Sequence, residues 1–217
     1  MRKFIAGLGA AAMLATLATP AAQAAQAQDI FNGGRIGGGS SQLIPPSSSA
    51  PGTELSEVGF QVDLNKYAGT WYQVAALPQP YSLQCASDTA AEYAALDEET
   101  ISVRNSCGTF FGPSVIEGTA ERRSDASLRV NFPGVPFQDE AGPTNYRITY
   151  LDEDYSLAVV GDPDRNSGFI LSRTPNLSAG QWSEVRSIVE SRGWWSCSFL
   201  TVPMAEGRKD VVPLCAL

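Results

Sequence analysis

The 217 residues contain no histidine, and that absence decides much of the chemistry open to the chain. It removes Ser-His-Asp and Cys-His nucleophile pairs, histidine-ligated haem and the usual zinc sites. Acid-base work would fall to carboxylates, tyrosines or a thiol. Asp152, Glu153 and Asp154 stand in a row, but between two apolar stretches they read as a solvated turn rather than as a catalytic pair. Asp162, Asp164 and Asn166 offer oxygens at alternate positions, as a calcium loop does. Pro163 between them, and the missing glutamate that would close such a loop, argue against a metal, and no cofactor is expected. Cys85, Cys107, Cys197 and Cys215 show no C-x-x-C spacing and read as two disulfides of an exported chain. Of the three connectivities, Cys85 with Cys107 and Cys197 with Cys215 is preferred. Cys85 opens the second strand and Cys107 closes the third, and antiparallel neighbours joined by one turn bring those ends together.

The elements that must position these residues start from Asp63 to Leu77, DLNKYAGTWYQVAAL. Asp63 and Asn65 favour a short helical turn, and Gly69, Thr70 and Trp71 open an apolar strand. A glycine two residues before a tryptophan shares its strand face, so no side chain separates indole from backbone there. Short alternating stretches follow: residues 85–95, then ISVRNSC with Ile101, Val103 and Asn105 on one face, then VIEGTAERR after a loop at Gly112 and Pro113, then LRVNF. Residues 144–151, YSLAVVG and FILSR complete eight strands. Linkers this short favour a meander, and a meander of eight closes into a barrel or leaves exposed edges. The expected class is therefore all-β, an eight-stranded antiparallel up-and-down barrel. Ser178 and Gln181 form a capping box before a stripe of Trp182, Val185, Ile188 and Val189, and Gly193 supplies the stop. One helix is expected on the outside of the barrel, with CSFLTVP as a short ninth strand.

The first 27 residues read as a signal peptide: Arg2 and Lys3, an apolar run, then A-x-A sites at Ala22–Ala24 and Ala25–Ala27. Residues 28–59, rich in Gly, Ser and Pro, read as a disordered linker, and residues 60–217 as one domain. No cysteine precedes Cys85, so the lipid-modified cysteine of a bacterial lipoprotein is not expected, nor a transmembrane segment after leader removal. A secreted or cell-envelope protein is the expectation. The formal charge of −8 argues against nucleic acid and anionic lipid as partners.

GTWY at 69–72, TYLDEDYSLAVV with Asp154 and Tyr155, and VGDPDRNSGFILSRTP with Arg173 occur in the order of the three signatures of the lipocalins. The chain resembles their bacterial lipocalin and apolipoprotein D branch, from about Asp63 to Pro203. The resemblance implies that Gly69, Trp71, Asp154, Tyr155 and Arg173 are structural, with Arg173 packed across Trp71 in a cation-π contact. It also implies a small hydrophobic ligand in the barrel, a fatty acid, lysolipid or similar, and no enzymatic activity. It adds a rival disulfide, Cys85 with Cys215, because the early-strand cysteine of apolipoprotein D is bonded to the C-terminal segment.

If Trp71 points inward, parity turns Gln73, Ala75 and Leu77 inward too, unless a bulge intervenes, and Phe169 and Leu171 follow from the Arg173 contact. Tyr93, Val103, Val130, Phe132, Tyr146 and Ile148 complete the expected ligand-facing set. These side chains line a pocket, or in a narrower barrel they fill a core. Two other readings stand beside the carrier: a barrel enzyme of isomerase or de-epoxidase type using Tyr, Asp or thiol chemistry, and a cell-envelope interaction protein with an unused cavity.

Overall fold

The computed structural model describes residues 53–136 and 138–217. The leader and residues 28–52 of the expected linker lie outside the described residues. Asp63 caps α1 (Leu64–Tyr67), its carboxylate accepting from the backbone N–H groups of Asn65 and Lys66. Then come β1 (Gly69–Ala76), β2 (Ser87–Ala95), β3 (Thr100–Thr109), β4 (Gly112–Arg122), β5 (Ser127–Asn131), β6 (Tyr146–Leu151), β7 (Leu157–Gly161) and β8 (Gly168–Ser172). After them stand α2 (Ala179–Ser191) and β9 (Leu200–Thr201). From β1 to β8 each strand pairs antiparallel with the next, and β1 pairs with β8 as well as β2, so the meander closes. Closure satisfies the edge hydrogen bonds that an open meander would leave bare.

β1 holds β2 only over Gly69–Tyr72; at Ala75 and Ala76 its edge is taken by β9. The ninth strand is thus shorter than the seven-residue stretch expected, because Ser196–Ser198 winds into a 3-10 turn instead. Gly112 and Pro113, expected in a loop, begin β4, with Gly112 at φ +115° where a side chain would be strained. The capping box of Ser178 and Gln181 is present, and Trp182, Val185 and Val189 are buried with Ile188 partly so.

Two apolar layers result. The inner one, inside the barrel, includes Trp71, Tyr93, Val103, Ile148 and Leu171; the outer one packs α2 against the wall through Val74, Val159, Ile170, Trp182 and Val185. The register of β1 shifts between Gln73 and Ala75, and this bulge corrects the parity expectation. Ala75 and Leu77 belong to the outer layer, because the extra residue turns the rest of the strand over.

The linker boundary also moves. Leu55 is fully buried in the outer layer, Val58 donates to the Ile148 carbonyl, and Glu54 pairs with Arg147 at 2.9 Å. Ser124 and Ser127 both donate to the Glu57 carboxylate. Residues 53–59 are therefore part of the packed domain. One aliphatic side chain and one acidic pair in a polar stretch produce no periodicity by which the sequence would reveal this.

Candidate binding site

The floor of the barrel is built from α1 and the start of β1. Trp71 has 0% exposure, and its indole N–H donates to the Tyr67 carbonyl at 2.8 Å. The Arg173 guanidinium lies 3.9 Å from the indole centroid. Its N–H groups donate to the carbonyls of Lys66, Tyr67, Ala68, Thr70 and Tyr155. Burial draws its pKa below the ordinary arginine value, and the nearby Tyr67 opposes that shift. Gly69, at φ +95°, leaves room for the cation: a Cβ there would stand 3.2 Å from Arg173 Nη1.

Tyr155, at φ +56°, receives the Asp63 backbone N–H on its hydroxyl at 3.1 Å. Asp154 beside it is exposed. The carboxylate that holds this turn is Asp152, which accepts from Ser156 and from the Leu157 N–H. Three consecutive acids give no sequence signal of which one turns inward.

Above Trp71 stand three phenols. The Tyr67 and Tyr146 hydroxyls are 2.7 Å apart, and those of Tyr93 and Tyr146 are 3.2 Å apart. The Tyr67 ring stacks on Tyr93 at 5.5 Å and tilts against Trp71 at 5.0 Å. Burial pushes Tyr93 up to about 12 and Tyr67 and Tyr146 well above the usual phenol range, so all three are protonated at neutral pH. The lower half of the barrel is therefore filled with aromatic side chains.

The upper half opens toward solvent. The register sets Asn105 opposite Ala91 and Ile116, one step above the layer of Tyr93, Val103 and Gly118. Ile116, on the inward face, keeps 38% exposure. Gln73, Asn105, Phe132 and Phe169 are likewise only partly buried, which marks a cup rather than a sealed core. The expected set thus divides. Tyr93, Val103, Val130, Phe132, Tyr146, Ile148, Phe169 and Leu171 meet in or against the inner layer. Gln73 pairs in register with Leu171, and Ala75 and Leu77 are outside. Tyr67, Asn105 and Ile116 were not in that set, although the alternation from Ile101 already placed Asn105 on the inner face.

Charge stays outside the cup: Arg104 bridges Glu92 and Glu117 on the outer face at 3.6 and 3.5 Å. The Cys85–Cys107 disulfide ties the segment leading into β2 to the upper part of β3, and Cys197–Cys215 holds the C-terminal segment. This is the preferred pairing, and the Cys85–Cys215 rival is excluded. Asp162, the lead residue of the calcium-like spacing, spends its carboxylate on Ser167 and Asn166 within its own turn. Among the described residues no cluster of acidic or cysteine side chains is set to hold a metal ion.

The model of the lipocalin-like domain family matches residues 62–204. Temperature-induced lipocalin-1 of Arabidopsis thaliana is 31% identical over 140 residues, covering 61% of this chain and 75% of that protein. The outer membrane lipoprotein Blc of Citrobacter freundii is 31% identical over 160 residues, covering 70% and 84%. The crystal structure of the cockroach allergen Per a 4 superposes with a TM-score of 0.56 at 15% identity, covering 70% of this chain and 95% of that one, a likeness of fold.

Proposed function

The chain belongs to the lipocalin family, and on that premise we propose that it carries one small hydrophobic molecule in the upper half of its barrel. Members of this family bind small hydrophobic ligands. The ligand proposed here is a single-chain lipid of fatty-acid or lysolipid size. The observation that carries the reading is the cup itself: Ile116, Phe132 and Phe169 line an inward face yet stay in contact with solvent. Apolar surface left wet inside a closed sheet is surface that a ligand would cover. Ten methylenes buried at about 0.8 kcal/mol each give roughly 8 kcal/mol before association and ordering costs, so about micromolar is the tightest affinity that burying such a chain alone supports.

A binding role rather than catalysis is supported by how the reactive groups are used. The carboxylates of Asp152 and Asp162 hold turns, and the four cysteines are paired. The two disulfides also support a location outside the cytoplasm, as does the likeness to outer membrane lipoproteins. Native mass spectrometry of the protein purified from its own source tests the reading. A bound adduct of a few hundred daltons at one per chain is expected. Ligand-free protein that also fails to take up added 1-N-phenylnaphthylamine, an uncharged fluorescent probe, would refute it.

A further inference from the structure

We propose, resting on that carrier reading, that the cup selects a ligand whose inserted polar end is an uncharged hydroxyl in preference to an ionised carboxylate. Three observations converge. The arginines around the barrel are already engaged: Arg104 by Glu92 and Glu117 on the outer face, Arg147 by Glu54, and Arg122, inward at the end of β4, by Glu99 and the carbonyls of Val62 and Asp125. The cation stacked on Trp71 is equally unavailable. Arg173 lies against the indole of Trp71, and each of its nitrogens is already committed to main-chain carbonyls. A carboxylate carried into the cup would lose its water and find no cation.

The second observation is a count of protons. Tyr67, Tyr93 and Tyr146 share two hydrogen bonds among three hydroxyls, so one O–H remains to be donated. The third is the Asn105 side-chain oxygen, which is buried, faces the interior and has no partner. A spare donor on the floor and a spare acceptor on the wall above it are complementary to a group that both accepts and donates. An alcohol does both. A carboxylate accepts from the phenol but, with the Asn105 amide as it stands, sets a second anionic lone pair against its oxygen; it must turn the amide over to meet N–H groups, and still finds no free cation to replace its water.

The test displaces 1-N-phenylnaphthylamine from the purified, delipidated full chain with 1-dodecanol and with dodecanoate at pH 8. Dodecanol should compete at a concentration at least about tenfold lower, equivalent to about 1.4 kcal/mol. Tyr146→Phe and Asn105→Leu should each bring the ratio toward one. Near-UV circular dichroism checks that the variants are folded, and Asn105→Leu, at a half-buried position, keeps the test open if Tyr146→Phe does not fold. Competition by dodecanoate at an equal or lower concentration overturns the inference and leaves the carrier reading standing. A dodecanol preference that survives both substitutions is plain partitioning and also overturns it. Failure of the probe and both competitors to bind would instead sink the carrier reading.

Discussion

Replacing Arg173 tests the closed end of the barrel. In Arg173→Ala the guanidinium leaves five main-chain carbonyls, at 2.8 to 3.2 Å, and the face of Trp71 at 3.9 Å. A hydrogen bond from a charged donor is worth about 1.5–3 kcal/mol when dry. Arg173 is half-buried, so water replaces part of each bond, and roughly 2 kcal/mol in all is a fair net loss. The cation-π contact adds about 1 kcal/mol. The expected cost is therefore about 3 kcal/mol, or 6–12 °C in melting temperature for a domain of this size. Arg173→Lys keeps the charge but not the planar fork, so it should recover less than half of the loss. Trp71→Ala, which empties a fully buried site, should cost about 3–5 kcal/mol. Urea unfolding followed by far-UV circular dichroism reads all three without relying on the indole. The reasoning fails if Arg173→Ala costs under about 1 kcal/mol while binding of the fluorescent probe disappears, for then the signature end would be the mouth.

Two other predictions follow from the bonds and the phenols. Cys85→Ser with Cys107→Ser, which opens a link of sequence separation 22, should cost about 3 kcal/mol through the freed unfolded chain; non-reducing peptide mapping of the parent should give Cys85–Cys107 and Cys197–Cys215 and no free thiol. The raised pKa values of Tyr67, Tyr93 and Tyr146 mean that above pH 10 the unfolded chain ionises while the folded one holds its protons. The folded state then binds more protons than the unfolded, so stability is fully present below pH 10 and falls as pH rises toward the folded value, about 12 for Tyr93. Urea midpoints at pH 8, 10 and 11 should show that decline, with a shallower slope in Tyr93→Phe.

The barrel was legible because each of its strands carries its own signal. Ile101 and Val103 alternate with polar residues, Leu128 and Val130 do the same, and α2 announces itself through Ser178, Gln181 and the stripe from Trp182. What could not be read was set by contacts distant in sequence. The bulge after Gln73 falls where β1, paired with β8 along one edge, passes from β2 to β9 along the other, and no residue type marks it. Leu55 docks onto the outer layer from within a stretch that lacks periodicity. The cup was half-legible: parity found Tyr93, Val103 and Phe132, but Tyr67 enters from α1, whose turn obeys no strand alternation. Asn105 shares a face with Ile101 and Val103 by alternation, but alternation does not say whether a polar side chain on that face finds a partner; the lack of one for its oxygen is visible only in the structure.

Two adjacent positions on one strand test the central claim most directly. Ile116 and Val115 are similarly exposed, at 38% and 46%, but alternate on β4, so Ile116 faces the cup and Val115 the outside. Titration of 1-N-phenylnaphthylamine into the folded variants should show binding lost or weakened at least about tenfold in Ile116→Trp, where the indole occupies the cup, and unchanged in Val115→Trp. Equal binding in both variants, or loss only in Val115→Trp, would place the ligand outside the barrel and contradict the account.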